Sequence, residues 1–178
     1  MFPLALLNAA SPPDPSLTLV LLHFDTDYTD SSQTAAVWSN SGSGQSISAT
    51  SKFGAGSLAT LGTGGIYTQN VTVRTPLGSD NWTIEGWFNK TAIGNDINGL
   101  FMFMDGAGQP ITLYIENGIL YAAVRLDAST RTTISHQTTI VAGEFTHYAL
   151  VRNGATITLY LNGVAGTTTI NSGALSLY

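Results

Sequence analysis

The chain has 178 residues, room for one domain with a sizeable core, and 43% of them are hydrophobic, which argues against disorder. Only 10% are charged, and 11 acids against 6 scattered bases give a net charge of -5, so binding to nucleic acid through phosphate neutralisation is disfavoured. There is no cysteine, so neither a disulfide framework nor a thiolate metal site can form.

Residues 1–10 are apolar but have no positive leader and are interrupted by Pro3, so they read as a docking arm rather than a cleaved signal. Residues 11–16, Ser-Pro-Pro-Asp-Pro-Ser, read as a stiff polyproline-like linker, because proline fixes φ and excludes helix. The expected organisation is thus an arm and linker over 1–16 and one domain over 17–178. No apolar run approaches the roughly 18 residues of a membrane span.

Residues 17–24 form a continuous apolar run and predict a first buried strand. Residues 25–44 are rich in Asp, Ser, Thr, Asn and Gly and predict a long loop, with a short strand near 36–38. An edge strand is expected over 45–50, and a glycine-bearing turn over 52–58. Two short strands are expected near Ile66-Tyr67 and over 71–73. Residues 82–89 predict a strand with Trp82, Ile84, Gly86 and Phe88 on one face and Thr83, Glu85, Trp87 and Asn89 on the other. Residues 100–104 are apolar on both faces and predict a central, covered strand. Residues 111–116 and 119–126 flank Asn117-Gly118, and residues 145–152, 155–161 and 164–170 are joined by Asn153-Gly154 and Asn162-Gly163. Asn-Gly tolerates the positive φ angles of a type I′ turn, so each pair predicts a hairpin. Residues 131–140 predict two short strands, or a strand and a loop. About a dozen short strands without a helix indicate an all-β, two-sheet antiparallel jelly-roll sandwich.

Four fragments carry a resemblance. They are Leu-Leu-His-Phe-Asp at 21–25, Ser-Lys-Phe-Gly at 51–54 with Ser57-Leu58, Thr-Ile-Glu-Gly-Trp-Phe at 83–88, and Phe-Thr-His-Tyr-Ala-Leu-Val-Arg at 145–152 running into Leu-Tyr-Leu-Asn-Gly at 159–163. In this order and spacing, across about 17–170, they resemble the laminin-G-like branch of the concanavalin A-like jelly rolls. The Asp-Pro followed by Leu-Leu-His-Phe-Asp is similar to versions of the domain in bacteriophage virion proteins. The resemblance implies a two-sheet sandwich with one concave face. It also implies a closing strand pair beyond about residue 174, where this sequence ends. That points to a rearranged ending, strand addition by a neighbouring chain, or a fragment.

Glycanase chemistry needs two carboxylates about 5–9.5 Å apart. Glu85, Glu116 and Glu144 have no acidic partner two or four residues on in a strand, so the chain is expected not to be an enzyme. Asp25, Asp27 and Asp30 lie close together, but without the dense pattern of a calcium loop they read as turn-formers. His23, His136 and His147 show no metal spacing and read as structural. No metal site and no cofactor are expected. Glu85, Trp87, Tyr114 and Tyr160, with Tyr121, are the candidate glycan-stacking residues, set against the alternative of core or inter-subunit aromatics.

The leading expectation is a non-enzymatic phage virion component, such as a capsid decoration, head-fibre or tail-fibre protein. It would assemble through its arm and sheet edge with other virion proteins and with its own copies. Contact with a host-surface glycan is a further expectation; nucleic acid and membrane insertion are not expected. The alternative is a free, extracellular carbohydrate-binding or adhesion module, and a hydrolase ranks third.

Overall fold

Alternating apolar side chains become paired strands in the computed structural model, which describes Ala5–Leu6 and residues 18–61, 64–70, 73, 77, 79–105, 108–126 and 130–170. The strands are β1 (Ala5–Leu6), β2 (Ser39–Ser41), β3 (Gln45–Ser48), β4 (Ser57–Thr60), β5 (Gly65–Tyr67), β6 (Trp82–Asn89) and β7 (Asn98–Asp105). They continue with β8 (Gly108–Glu116), β9 (Ile119–Arg125), β10 (Arg131–His136), β11 (Phe145–Asn153), β12 (Thr156–Leu161) and β13 (Val164–Ile170). A five-stranded sheet runs β1-β6-β11-β12-β13 and a four-stranded sheet runs β10-β9-β8-β7, with two small ribbons, β2-β5 and β3-β4. All named pairings are antiparallel.

The two large sheets face each other as a jelly-roll sandwich. Ile84, Leu150, Ile157 and Leu159 from one sheet and Ile111, Leu113, Leu120 and Val124 from the other are fully buried in one core. Register explains the shared face. Leu150 pairs with both Ile84 and Leu159, and Leu113 pairs with Ala122, so apolar side chains line up across strands. At one edge the sheets meet directly. The Ser135 N–H donates to Thr167 Oγ1 at 2.7 Å, and that hydroxyl donates back to the Ser135 carbonyl at 2.9 Å. Gly166 permits this approach, since a Cβ there would stand 2.8 Å from the same carbonyl.

Asn117 and Gly118 (φ 50° and 74°) and Asn162 and Gly163 (φ 50° and 80°) make the expected type I′ turns. Asn153-Gly154 departs from that expectation. Asn153 still pairs with Thr156, so Gly154 and Ala155 form the loop, and only Gly154 has positive φ (58°). That is the type II′ pattern, with glycine first. The turn is set by one long-range and one local bond: the Gly154 N–H donates to Asn81 Oδ1 at 2.7 Å, and Arg152 Nε donates to the Gly154 carbonyl at 3.0 Å. Similar ties join Asn89 Nδ2 to the Gly143 carbonyl (2.9 Å) and the Ala55 N–H to Asp25 Oδ1 (2.8 Å).

Several expectations need correction. Residues 18–24 do not join a sheet. Val20, Leu22 and Phe24 are buried at period two, but the backbone makes a single bridge, Leu22 to Asp30. The Leu21 N–H is taken by the Asp30 carboxylate, the Leu19 carbonyl by the Ser32 hydroxyl, and Phe24 turns to φ 59°. His23 therefore lies outside any strand. The strand expected near 36–38 lies at β2 instead. The stretch 100–104 is not central: β7 is the sheet edge, and Met102 and Met104 are 45% and 57% exposed. Bulges flank Phe101 and Phe103 and break the ladder there. The strand expected over 71–73 falls outside the described residues, apart from the buried Val73. So do the 11–16 linker, the other arm residues except Ala5–Leu6, and the ending at 171–178; Ala5 pairs with Glu85 and Leu6 with Ile84.

Candidate functional site

The outward positions of β6 and β11 build one candidate face. Once Ile84 and Leu150 point inward, Glu85, Trp87, His147 and Ala149 must point outward. The pairing then brings His147 beside Trp87 and Ala149 beside Glu85. Their rings are 5.1 Å apart, and His147 Nε2 lies 3.3 Å from Glu85 Oε2. The turn after β3 adds two residues from far away in sequence. Phe53 meets Trp87 edge-on at 5.7 Å, and Lys52 Nζ stands 4.7 Å from the indole centroid, a cation–π contact. Tyr160 pairs with Ala149 on the same face. Of the four candidate residues, Glu85, Trp87 and Tyr160 thus share a sheet face.

Tyr114 does not belong with them. It lies on the outward face of the four-stranded sheet, stacked on Tyr121 with centroids 5.2 Å apart and planes at 13°. Burial pushes its hydroxyl pKa up, helped by Glu116 and Tyr121 and opposed by Arg131.

Sequence reading missed Lys52, Phe53 and His147 as members of the Trp87 face. The outward parity of His147 was readable from Tyr148 and Leu150. Its partner strand was not, and nothing local ties 52–53 to Trp87.

Among the described residues Glu85 neighbours Thr83 and Trp87 along its strand, Ala5 and Ala149 on the paired strands, and His147 at 3.3 Å, none of them acidic. The three loop aspartates are engaged by backbone amides. Asp30, 5% exposed, accepts from Leu21 and Ser32 with one oxygen and from Ala36 with the other. Asp27 accepts from the Thr29 N–H, which holds its carboxyl below the usual value, and Asp25 accepts from Ala55. Among the described residues no group of three metal-ligating side chains converges. His136 is buried, with Nδ1 accepting from the Thr138 N–H at 3.3 Å.

The fold and these faces define a laminin-G-like jelly roll. The family described as the concanavalin A-like lectin/glucanases superfamily matches residues 61–178, more than half of the chain. The chain belongs to that superfamily. The fragments at 83–88 and 145–163 lie inside the matched segment, and those at 21–25 and 51–58 lie upstream of it. No curated protein matches the chain. Among solved structures it is similar to the binding domain of Paraclostridial Mosquitocidal Protein 1, with TM-score 0.61 and 14% identity over 99% of this chain and 42% of that one. It is similar also to botulinum neurotoxin type C, with TM-score 0.57 and 13% identity over 94% of this chain and 38% of that one. Domains LG4-5 of the mouse laminin alpha1 chain align at TM-score 0.47 and 14% identity, over 56% of this chain and 26% of that one. The chain therefore spans less than half of each of these chains, and identities this low speak to fold alone.

Proposed function

We propose that this chain is a non-enzymatic binding domain built into a phage virion, as a capsid decoration, head-fibre or tail-fibre component that meets host-surface glycans. The carrying observation is the outward Trp87 face. A half-buried indole flanked by Lys52, Phe53 and His147, with Glu85 and Tyr160 elsewhere on the same sheet face, joins a stacking surface to groups that hydrogen-bond sugar hydroxyls. Among the described residues no acidic side chain neighbours Glu85 on this face, which supports binding over hydrolysis. Botulinum neurotoxin type C, of the same fold, is a protein whose cell entry depends on interaction with two ganglioside molecules; the step to this chain is analogy of fold.

The virion setting is supported by the low charge, the apolar first residues and the resemblance of 21–25. The β7 edge adds a physical reason for assembly, since among the described residues it is an edge strand, and one carrying the exposed Met102 is a template for strand addition. A free adhesion module shares the glycan face and differs only in not assembling. A glycan array probed with the full chain and with Trp87→Ala tests the binding half. Binding of neutral sugars lost in the variant is expected; equal signals from both proteins on those sugars would sink it. Light scattering with and without residues 1–16 tests the assembly half: an oligomer that needs those residues supports the virion part, and a monomer in both forms replaces it with the free module.

A further inference from the structure

The four-stranded sheet carries a second face that the proposed function does not use. Along β9 the outward positions are Tyr121, Ala123 and Arg125. Ala123 pairs with Thr112 of β8 and Thr133 of β10, so three small side chains cross the middle of the sheet. The stacked Tyr114 and Tyr121 rise on one side of this low row, and Arg125 and Arg131, paired directly opposite each other, rise on the other. The result is a depression of about 370 Å³ lined by Ile97, Thr112, Tyr114, Ala123, Arg131 and Thr133. That volume falls within the range of about 300–1,000 Å³ typical of small-ligand sites.

The charge arrangement points to the ligand. Like charges directly opposite across two strands repel, and this chain, at net charge -5, has only four arginines. Two of them nonetheless face each other here, without a carboxylate partner among the described residues. Arg131 reaches over Ala123 to donate from Nη2 to Thr112 Oγ1 at 3.2 Å, and that hydroxyl stands 3.4 Å from Gln109 Oε1. The guanidinium is thereby held across the depression with other donors still free. Glu116, two residues beyond Tyr114 on the same face, makes the far end negative, so the face is polarised along β8.

We propose that this depression binds a carboxylate-bearing saccharide, its carboxylate between Arg125 and Arg131 and its ring against Tyr114. A planar guanidinium meets a planar carboxylate through two parallel hydrogen bonds, which a lysine cannot reproduce. Thr133 lines the depression and offers a hydroxyl to the sugar, Thr112 holds the Arg131 guanidinium in place, and the paired tyrosines form a preset wall.

Calorimetry on the full chain tests this with three probes of equal length: a uronic-acid tetrasaccharide, its carboxyl-reduced neutral counterpart, and a sulfated tetrasaccharide. The uronate is expected to bind at least about tenfold more tightly than either of the others. Arg131→Lys, at an exposed position, is expected to lose about tenfold, and Arg125→Ala is the companion variant, with thermal unfolding as the fold check. Trp87→Ala is expected to leave uronate binding unchanged, so failure of the Trp87 face and failure of this one are read separately. No uronate binding, equal binding of the reduced or sulfated probe, or wild-type affinity in Arg131→Lys would each overturn the proposal.

Discussion

The β11-β12-β13 meander and the segment 18–36 reach the same depth of burial by opposite means. In the meander, Asn162, Gly154 and Gly163 stand at the left-handed positions, residue types that tolerate them, the Asn162-Gly163 turn follows from its own two residues, and Leu150, Ile157 and Leu159 fill the core. In the 18–36 segment, Phe24 and Ala35 occupy left-handed conformations (φ 59° and 44°) that L-residues resist. Leu22 is just as buried, yet the backbone around it is held by one carboxylate and one hydroxyl instead of a ladder. One region is a local code read strand by strand. The other is a polar knot whose ends find each other only in the folded state.

The largest expected effects compare the two anchors. Leu150→Ala should cost about 2–5 kcal/mol, as a cavity in the shared core. Asp30→Ala should cost at least about 3 kcal/mol, because three backbone N–H groups lose their acceptor at about 1–3 each. Denaturant melts measure both, and hydrogen exchange separates them. Protection at Leu21, Ser32 and Ala36 should fall first in the Asp30 variant. Uniform loss across the molecule would mean that the two regions are one cooperative unit.

Next comes a pair of opposite signs. Gly163→Ala, at φ 80° with open space around it, should destabilise by about 1–2 kcal/mol. Ala35→Gly should be neutral or stabilising, by up to about 1 kcal/mol, because it relieves strain already present. Matching signs in thermal melts would break the contrast.

The smallest effect is confined to alkaline pH. Burial, with a further push from Glu85, raises the Tyr148 phenol well above its usual 10.0. The unfolded chain therefore ionises first. Stability is fully present below about pH 10 and falls above it, by up to about 1.4 kcal/mol per pH unit. Tyr148→Phe should flatten that limb, and an unchanged alkaline slope in the variant would assign it elsewhere.

The same contrast explains what the sequence disclosed. The bounds of β6 and the Asn117-Gly118 and Asn162-Gly163 turns were legible because their causes lie within a few residues. Residues 17–24 looked like a strand because a continuous apolar run is all that the local sequence records; the partner, Asp30, looked like an ordinary turn-former. Residues 100–104 looked central because an exposed methionine on an edge strand and a buried one read alike. The candidate faces divided along the same line. Glu85 and Trp87 were found by their shared parity. Lys52, Phe53 and His147 arrived through pairings of distant segments, and Tyr114 was lost to the other sheet for the same reason.

The side-chain ties between remote loops carry one more consequence. Asn81 holds Gly154 across 73 residues, Asn89 holds Gly143 across 54, and Asp25 holds Ala55 across 30. In a chain without cysteine, these clasps stand where a secreted protein of this size often has covalent staples. They are indifferent to redox potential. Nothing has to be oxidised to close them and no thiol can open them, so the same fold can form in a glutathione-rich interior and persist in an oxidising exterior.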